Sequence, residues 1–125
     1  MRLLLDTHAL IWWLEDSTEL AGAARDAIGD GDNEVAVSAA SAWEMAIKEA
    51  AGKLRVPPTL GDAVKTSGFT ELPITIEHAL KAGVLDPHHR DPFDRMLVAQ
   101  ALVEGYTIVT RDPRFEPYGV AVLTA

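Results

Sequence analysis

Short apolar runs alternate along the chain with longer segments of helical spacing. Leu3-Leu4-Leu5 is too short for a helix and suits a strand buried on both faces. Ala9 to Glu15 follows with helical character. Leu20 to Ile28 is alanine-rich and helical, and the turn cluster Gly29-Asp30-Gly31-Asp32-Asn33 closes it. Glu34 to Val37 reads as a second strand. From Ser41 the pattern is strongly helical: Trp43, Ala46, Ile47 and Ala50 fall on one face, and Gly52 ends the segment. Pro57-Pro58 marks a loop, Thr59 to Thr66 a short helix and Thr70 to Leu72 a brief strand. Ile76 to Leu85 is helical, with Ile76, Leu80 and Val84 at i, i+4 and i+8. After the loop Pro87-His88-His89, Pro92 to Glu104 forms a helix with Phe93, Met96, Leu97, Gln100 and Ala101 facing inward, closed by Gly105. Tyr106 to Val109 and Val120 to Leu123 complete the strands. Strands alternating with helices predict an α/β fold with a mainly parallel sheet. In such sheets ligands bind beyond the carboxyl ends of the strands.

Composition narrows the chemistry. The 125 residues suit one domain, and 48% are hydrophobic, enough for a core without staples. The absence of cysteine excludes disulfides, iron–sulfur clusters and thiolate zinc sites. No apolar run approaches the ~20 residues of a membrane span. The opening run is interrupted by Asp6 and His8, unlike a secretory signal, so a cytoplasmic protein is expected. The net charge of −8 argues against a nucleic-acid partner. That objection weakens if several acids are metal ligands, because bound divalent cations reverse the local charge.

Acids stand where the sheet rule places a site. Asp6 follows the first strand, Glu44 lies early in the helix after the second, Asp91 and Asp94 open the late helix, and Asp112 follows the strand ending at Val109. Each has a local explanation. Ser41-Ala42-Trp43-Glu44 fits a capping box. Asp91-Pro92-Phe93-Asp94 fits an N-cap, a first-position proline and a first-turn acid. Asp6 can cap the first helix, and Asp112-Pro113 can form a turn. Jointly, gathered carboxylates repel one another and lose hydration, a conflict that a hard cation such as magnesium resolves.

Other candidates carry less. His8, His78, His88 and His89 lack zinc spacing; His88 and His89 are expected in a loop, His8 at a helix start near the site. Trp12, Trp13 and Trp43 suit core or interface better than base stacking. No nucleophile motif, phosphate-binding glycine loop or dinucleotide fingerprint is present. Lys48, Arg90, Arg95, Arg111 and Arg114 lie near the acids in sequence and could contact phosphates, or Arg90 and Arg95 could simply pair with Asp91 and Asp94.

Four segments together resemble the PIN-domain family, and in particular toxins of the VapC type. They are Leu4-Leu5-Asp6-Thr7-His8-Ala9-Leu10, Val37-Ser38-Ala39-Ala40-Ser41-Ala42-Trp43-Glu44, His89-Arg90-Asp91-Pro92-Phe93-Asp94-Arg95-Met96-Leu97-Val98-Ala99-Gln100 and Val109-Thr110-Arg111-Asp112. The third is the most specific. The resemblance implies that residues 1–125 form one PIN domain, a three-layer α/β/α sandwich around a parallel sheet. It implies an endoribonuclease dependent on Mg2+ or Mn2+, the toxin of a toxin–antitoxin pair, with a small antitoxin partner and a homodimeric state. The family's acidic set maps onto Asp6, Glu44, Asp94 and Asp112 as catalytic metal ligands, with Asp112 the least uniform position. Asp91 could act outside that set, and Thr7 and Thr110 match hydroxyl residues beside the acids. Lys48, Arg90, Arg95 and Arg111 are the expected contacts to substrate. The implied products carry 5′ phosphate and 3′ hydroxyl ends, and RNA preference then comes from substrate shape.

Three other protein classes share parts of this pattern. A phosphatase of the haloacid-dehalogenase type wants a second aspartate two positions after the first, where His8 stands. A phospho-accepting receiver domain wants paired early acids and a lysine after a late strand, where Thr110-Arg111-Asp112 stands. A catalytically silent binding module on the PIN fold stays open.

Overall fold

Leu3, Leu4 and Leu5 are all fully buried because the strand they form has helices packed on both faces. Successive side chains of a strand point to opposite faces. Leu3 and Leu5 therefore join one apolar core, with Leu10, Ala24, Ile28, Met45 and Val64, while Leu4 joins another, with Leu97, Val98, Ala101 and Phe115. Two cores on either side of one sheet make a three-layer α/β/α arrangement. The computed structural model describes residues 1–55 and 60–125; the loop expected at Pro57-Pro58 and the start expected at Thr59 lie outside them.

The strands are β1 (Arg2–Leu5), β2 (Glu34–Ser38), β3 (Thr70–Leu72), β4 (Thr107–Thr110) and β5 (Val122–Thr124). The helices are α1 (Thr7–Leu14), α2 (Gly22–Gly29), α3 (Ala39–Ala50), α4 (Leu60–Thr66), α5 (Ile76–Gly83) and α6 (Pro92–Glu104). Sheet order is β3-β2-β1-β4-β5, and every neighbouring pair is parallel. The chain winds outward from β1 first through β2 and β3, then through β4 and β5. The change of direction falls beside β1, and such a switch point opens a crevice at the strand ends.

Several local expectations are corrected. The helix expected from Ser41 begins at Ala39, capped by Ser38, whose Oγ accepts the Ala40 N–H at 3.0 Å. Ser41 therefore lies inside α3, and the Ser41–Glu44 capping box does not form. The apolar face expected there is the solvent face: Trp43 and Ile47 are exposed, and the buried positions are Ala40, Ser41, Glu44 and Met45. That side of α3 packs against α1 and α6, where small side chains allow close approach and Glu44 is turned inward. Ile76, Leu80 and Val84 likewise form an exposed stripe on α5; Ile76 is 80% exposed, and the buried residue of that helix is His78. A 3₁₀ helix over Pro113–Tyr118 buries Phe115 completely, an element the apolar pattern did not announce.

α6 follows its expected face. Leu97, Gln100 and Ala101 are buried, and Gly105 ends the helix at φ 77°, a left-handed conformation that glycine adopts freely. Gln100 is tolerated in the core because it is bonded. Its Oε1 accepts the Ser38 hydroxyl at 2.6 Å, and its amide donates to the Pro73 carbonyl at 3.3 Å.

Candidate active site

The carboxyl ends of β1 and β4, the starts of α1 and α6 and the middle of α3 meet at a cleft of about 160 Å³. Asp6, Glu44, Asp91, Asp94 and Asp112 line it, with Thr7, His8, Trp12, Lys48, Arg111 and Arg114. A larger groove of about 500 Å³ runs past the ends of β2 and β3 and the start of α4. Among the described residues that line it, only Glu71 is titratable, so the chemistry lies in the smaller cleft.

Asp6 caps α1: Oδ1 accepts the Ala9 N–H at 2.8 Å. Its Oδ2 accepts the Thr110 hydroxyl at 2.6 Å, and its own N–H donates to the Val109 carbonyl at 3.1 Å. These bonds tie the end of β1 to the end of β4. Burial pushes the Asp6 carboxyl above its ordinary range, against the hydrogen bonds from Thr110 and Ala9 that favour its charge. Glu44 is buried and held at both oxygens: Thr7 donates to Oε1 at 2.6 Å and Lys48 to Oε2 at 2.7 Å. Lys48, one turn along the helix, is raised chiefly by that bond.

Asp91 caps α6, its Oδ1 accepting the N–H groups of Phe93 at 2.8 Å and Asp94 at 3.1 Å. Asp94 faces the other acids. Burial first, then the charges of Asp91, Asp6, Glu44 and Asp112, push its carboxyl up to about 7. Asp112 moves the other way: Arg114 grips both of its oxygens and holds it below the usual carboxylate range. Asp112 also caps the 3₁₀ helix, and its N–H donates to Thr110 Oγ1 at 3.1 Å, so Thr110 links two acids.

His89 lies in the loop before α6, as expected, but is 3% exposed and packed against the cluster. Its Nε2 lies 2.8 Å from Asp94 Oδ2 and 3.5 Å from Asp112 Oδ2, yet it is aligned with neither for a hydrogen bond. Nothing in the spacing of the histidines marked it. The arginines divide. Arg111 lines the cleft, stacked 4.4 Å over Trp12 and bonded to the Ala125 carbonyl at 3.1 Å and to Glu19. Arg114, outside the expected substrate set, lines it too. Arg90 is exposed and is not among the lining residues. Arg95 is occupied elsewhere: its guanidinium donates to the carbonyls of Ala82, Leu85, Asp86 and His89, closing the loop between α5 and α6. The expectation that it touches substrate is therefore corrected: both terminal nitrogens are engaged by backbone carbonyls, and Arg95 does not line the cleft. Neither Arg90 nor Arg95 forms an ion pair with Asp91 or Asp94 among the described residues.

The donor set fits a hard divalent cation. It is dominated by carboxylate oxygens, and their crowding helps to push the Asp94 carboxyl up to about 7.

A parallel α/β sheet whose switch point is lined by acids from four separate segments defines a small class of folds. The chain belongs to the PIN domain family, whose model matches residues 3–120. It is 32% identical over 122 residues to Ribonuclease VapC22 of Mycobacterium tuberculosis, covering 92% of this chain and 90% of that relative. Among solved structures it resembles VapBC2 from Rickettsia felis, bound to a DNA fragment from its promoter, with TM-score 0.72 and 14% identity over 98% of both chains. It also resembles the DNA-bound VapBC of Salmonella typhimurium, with TM-score 0.68 and 17% identity over 98% of this chain and 97% of that one. The three-layer parallel architecture expected from sequence is the architecture of those structures. Among the described residues, no helix is long and apolar enough to cross a membrane.

Proposed function

We infer that the chain is an endoribonuclease dependent on a divalent cation, the toxin of a toxin–antitoxin pair, with residues 1–125 acting as one PIN domain. The observation that carries this reading is the convergence of Asp6, Glu44, Asp94 and Asp112 on one cleft. Membership of the PIN family and the ribonuclease name of the Mycobacterium relative support it. Asp6, Glu44 and Asp94 would hold Mg2+ or Mn2+, with Asp112 completing the set directly or through water. A divalent cation bound there polarises the scissile phosphate and acidifies water for in-line attack.

The remaining roles belong to the chain's own groups. Thr7 orients Glu44, and Thr110 orients Asp6, each with a hydroxyl donor at 2.6 Å. Asp91 fixes the start of α6 and with it the place of Asp94. Lys48, Arg111 and Arg114 offer positive charge at the rim for the RNA backbone, and Arg90 lies beyond it on the exposed loop. This local distribution answers the objection raised by the net charge of −8.

A cytoplasmic setting goes with this reading. The VapBC assemblies among the structural neighbours support a small antitoxin as the protein partner. A homodimer is the proposed assembly, and the exposed stripe of Ile76, Leu80 and Val84 on α5 is the surface suited to it.

The test is incubation of the purified protein with a mixed RNA pool in magnesium, manganese or chelator, beside Asp94→Asn. Metal-dependent cleavage that the variant loses is the expected result. Full activity of the variant at the same metal concentration overturns the site, and silence of the parent under every condition leaves a very narrow RNA target or a binding module on a PIN fold, which metal titration of the acids separates.

A further inference from the structure

Resting on the reading of the cleft as a cation site, we propose that His89 is a positioning residue for it: a ring protonated on Nε2, whose N–H lies against Asp94 Oδ2 and Asp112 Oδ2 from behind, at 2.8 and 3.5 Å, and which is not itself a ligand. The Asp91 N–H donates to His89 Nδ1 at 3.2 Å, so Nδ1 carries a lone pair and no proton. The ring proton is then on Nε2. His89, Asp94 and Asp112 do bring ligand-type atoms within 4.8 Å of one another. A protonated ring nitrogen has no lone pair for a metal, however, and two carboxylates beside it want a donor.

The surroundings hold this ring in one place. The His89 N–H donates to Tyr118 Oη at 2.9 Å, and its carbonyl accepts from Arg95 at 3.1 Å. Phe115 meets the ring edge-to-face, with centroids 5.8 Å apart. The ring does not line the cleft, which separates it from substrate. Among the described residues, no side chain makes an aligned hydrogen bond to the Asp94 carboxylate, and the His89 ring nitrogen lies 2.8 Å from it. Lying against both Oδ2 atoms, though in hydrogen-bond alignment with neither, the N–H offsets part of the repulsion between two like charges. It faces Oδ2 of Asp94, and Oδ1 has no donor among the described residues.

Two substitutions separate this from a merely structural role. His89→Gln keeps a donor near the Nε2 position and gives up the Nδ1 acceptor. His89→Asn keeps an acceptor for the Asp91 N–H and gives up the donor at the acids. Mn2+ affinity, read by electron paramagnetic resonance, should fall about tenfold in His89→Asn and stay within about threefold in His89→Gln. Thermal unfolding checks that both are folded. The reverse order overturns the proposal. On the unmodified chain, nitrogen–proton correlation spectra of the histidine rings should show His89 protonated on Nε2, both without metal and after Mg2+ addition. A ring that carries its proton on Nδ1, or that loses the Nε2 proton when Mg2+ binds, also overturns it. Failure of the parent to bind Mn2+ at all overturns the cation reading, and the metal-free ring spectrum still decides the donor.

Discussion

Replacing Asp94 by asparagine should abolish cleavage and stabilise the metal-free fold. The carboxyl of Asp94 is pushed from 3.8 to about 7 by burial and by four neighbouring acids. A folded-state value above the unfolded one means that the native protein binds more protons through that window, so its stability falls as pH rises across it. The side chain is 19% exposed, so screening by water is modest. At about 1.4 kcal/mol per unit the shift corresponds to ~4 kcal/mol at most, and rearrangement of the crowded carboxylates reduces this to about 1–3 kcal/mol. Asparagine keeps the shape and removes the charge. In chelator at about pH 8 it should raise the melting temperature by roughly 4–12 °C for a domain of this size. The advantage should shrink as pH falls and vanish below about pH 4, where Asp94 is protonated in both states. Thermal unfolding of both proteins from acid to mildly alkaline pH reads this directly. Magnesium should then stabilise the parent more than the variant. A variant no more stable than the parent at about pH 8 in chelator, or a difference that ignores pH, would refute the account of the cluster.

Three further outcomes are expected. Arg95→Met should cost about 2–4 kcal/mol in denaturant unfolding, because four carbonyls lose a charged donor; unchanged stability with lost RNA binding would return Arg95 to the substrate. Thr110→Val, nearly isosteric, should weaken Mn2+ binding about tenfold by removing the 2.6 Å donor to Asp6, and calorimetry showing parental affinity would remove Thr110 from the site. Leu80→Lys, in the middle of the exposed α5 stripe, should shift sedimentation toward monomer without lowering the melting temperature; a dimer of unchanged affinity places the interface elsewhere.

The parallel sheet and its order of elements were legible because β1, β2 and β4 are short runs of apolar residues separated by helical segments. The faces of α3 and α5 were not. Periodicity identifies a stripe but not whether the sheet or solvent receives it. Here Trp43 and Ile47 lie outside, while the inner side carries Glu44 and small residues packed on α1 and α6. The acids were found because carboxylates after strands and at helix starts have a recognisable place. The parts played by His89 and Arg95 were not legible, for one reason: His89 lies in the expected loop but is buried against the acids, and Arg95 does not line the cleft. Their roles come from where one loop folds: Arg95 closes it through four carbonyls, and the ring of His89 is thereby carried to Asp94.

Capping and cation binding are not competing accounts of these acids. Asp6 and Asp91 each use one oxygen to cap a helix, and Asp112 caps the 3₁₀ helix. A cap fixes the side-chain rotamer and leaves another oxygen or lone pair free. For Asp6 the remaining oxygen meets Thr110, which is 104 positions away in sequence. The starts of α1 and α6 both face the cleft, and the partial positive charge of a helix N-terminus offsets part of the repulsion between carboxylates. The offset is incomplete, because Asp94 still sits near neutrality. What local capping leaves unbalanced is the charge that a divalent cation would neutralise. On this view the caps hold the acids in place before any cation arrives, and removing a cap should loosen the site before it loosens the fold.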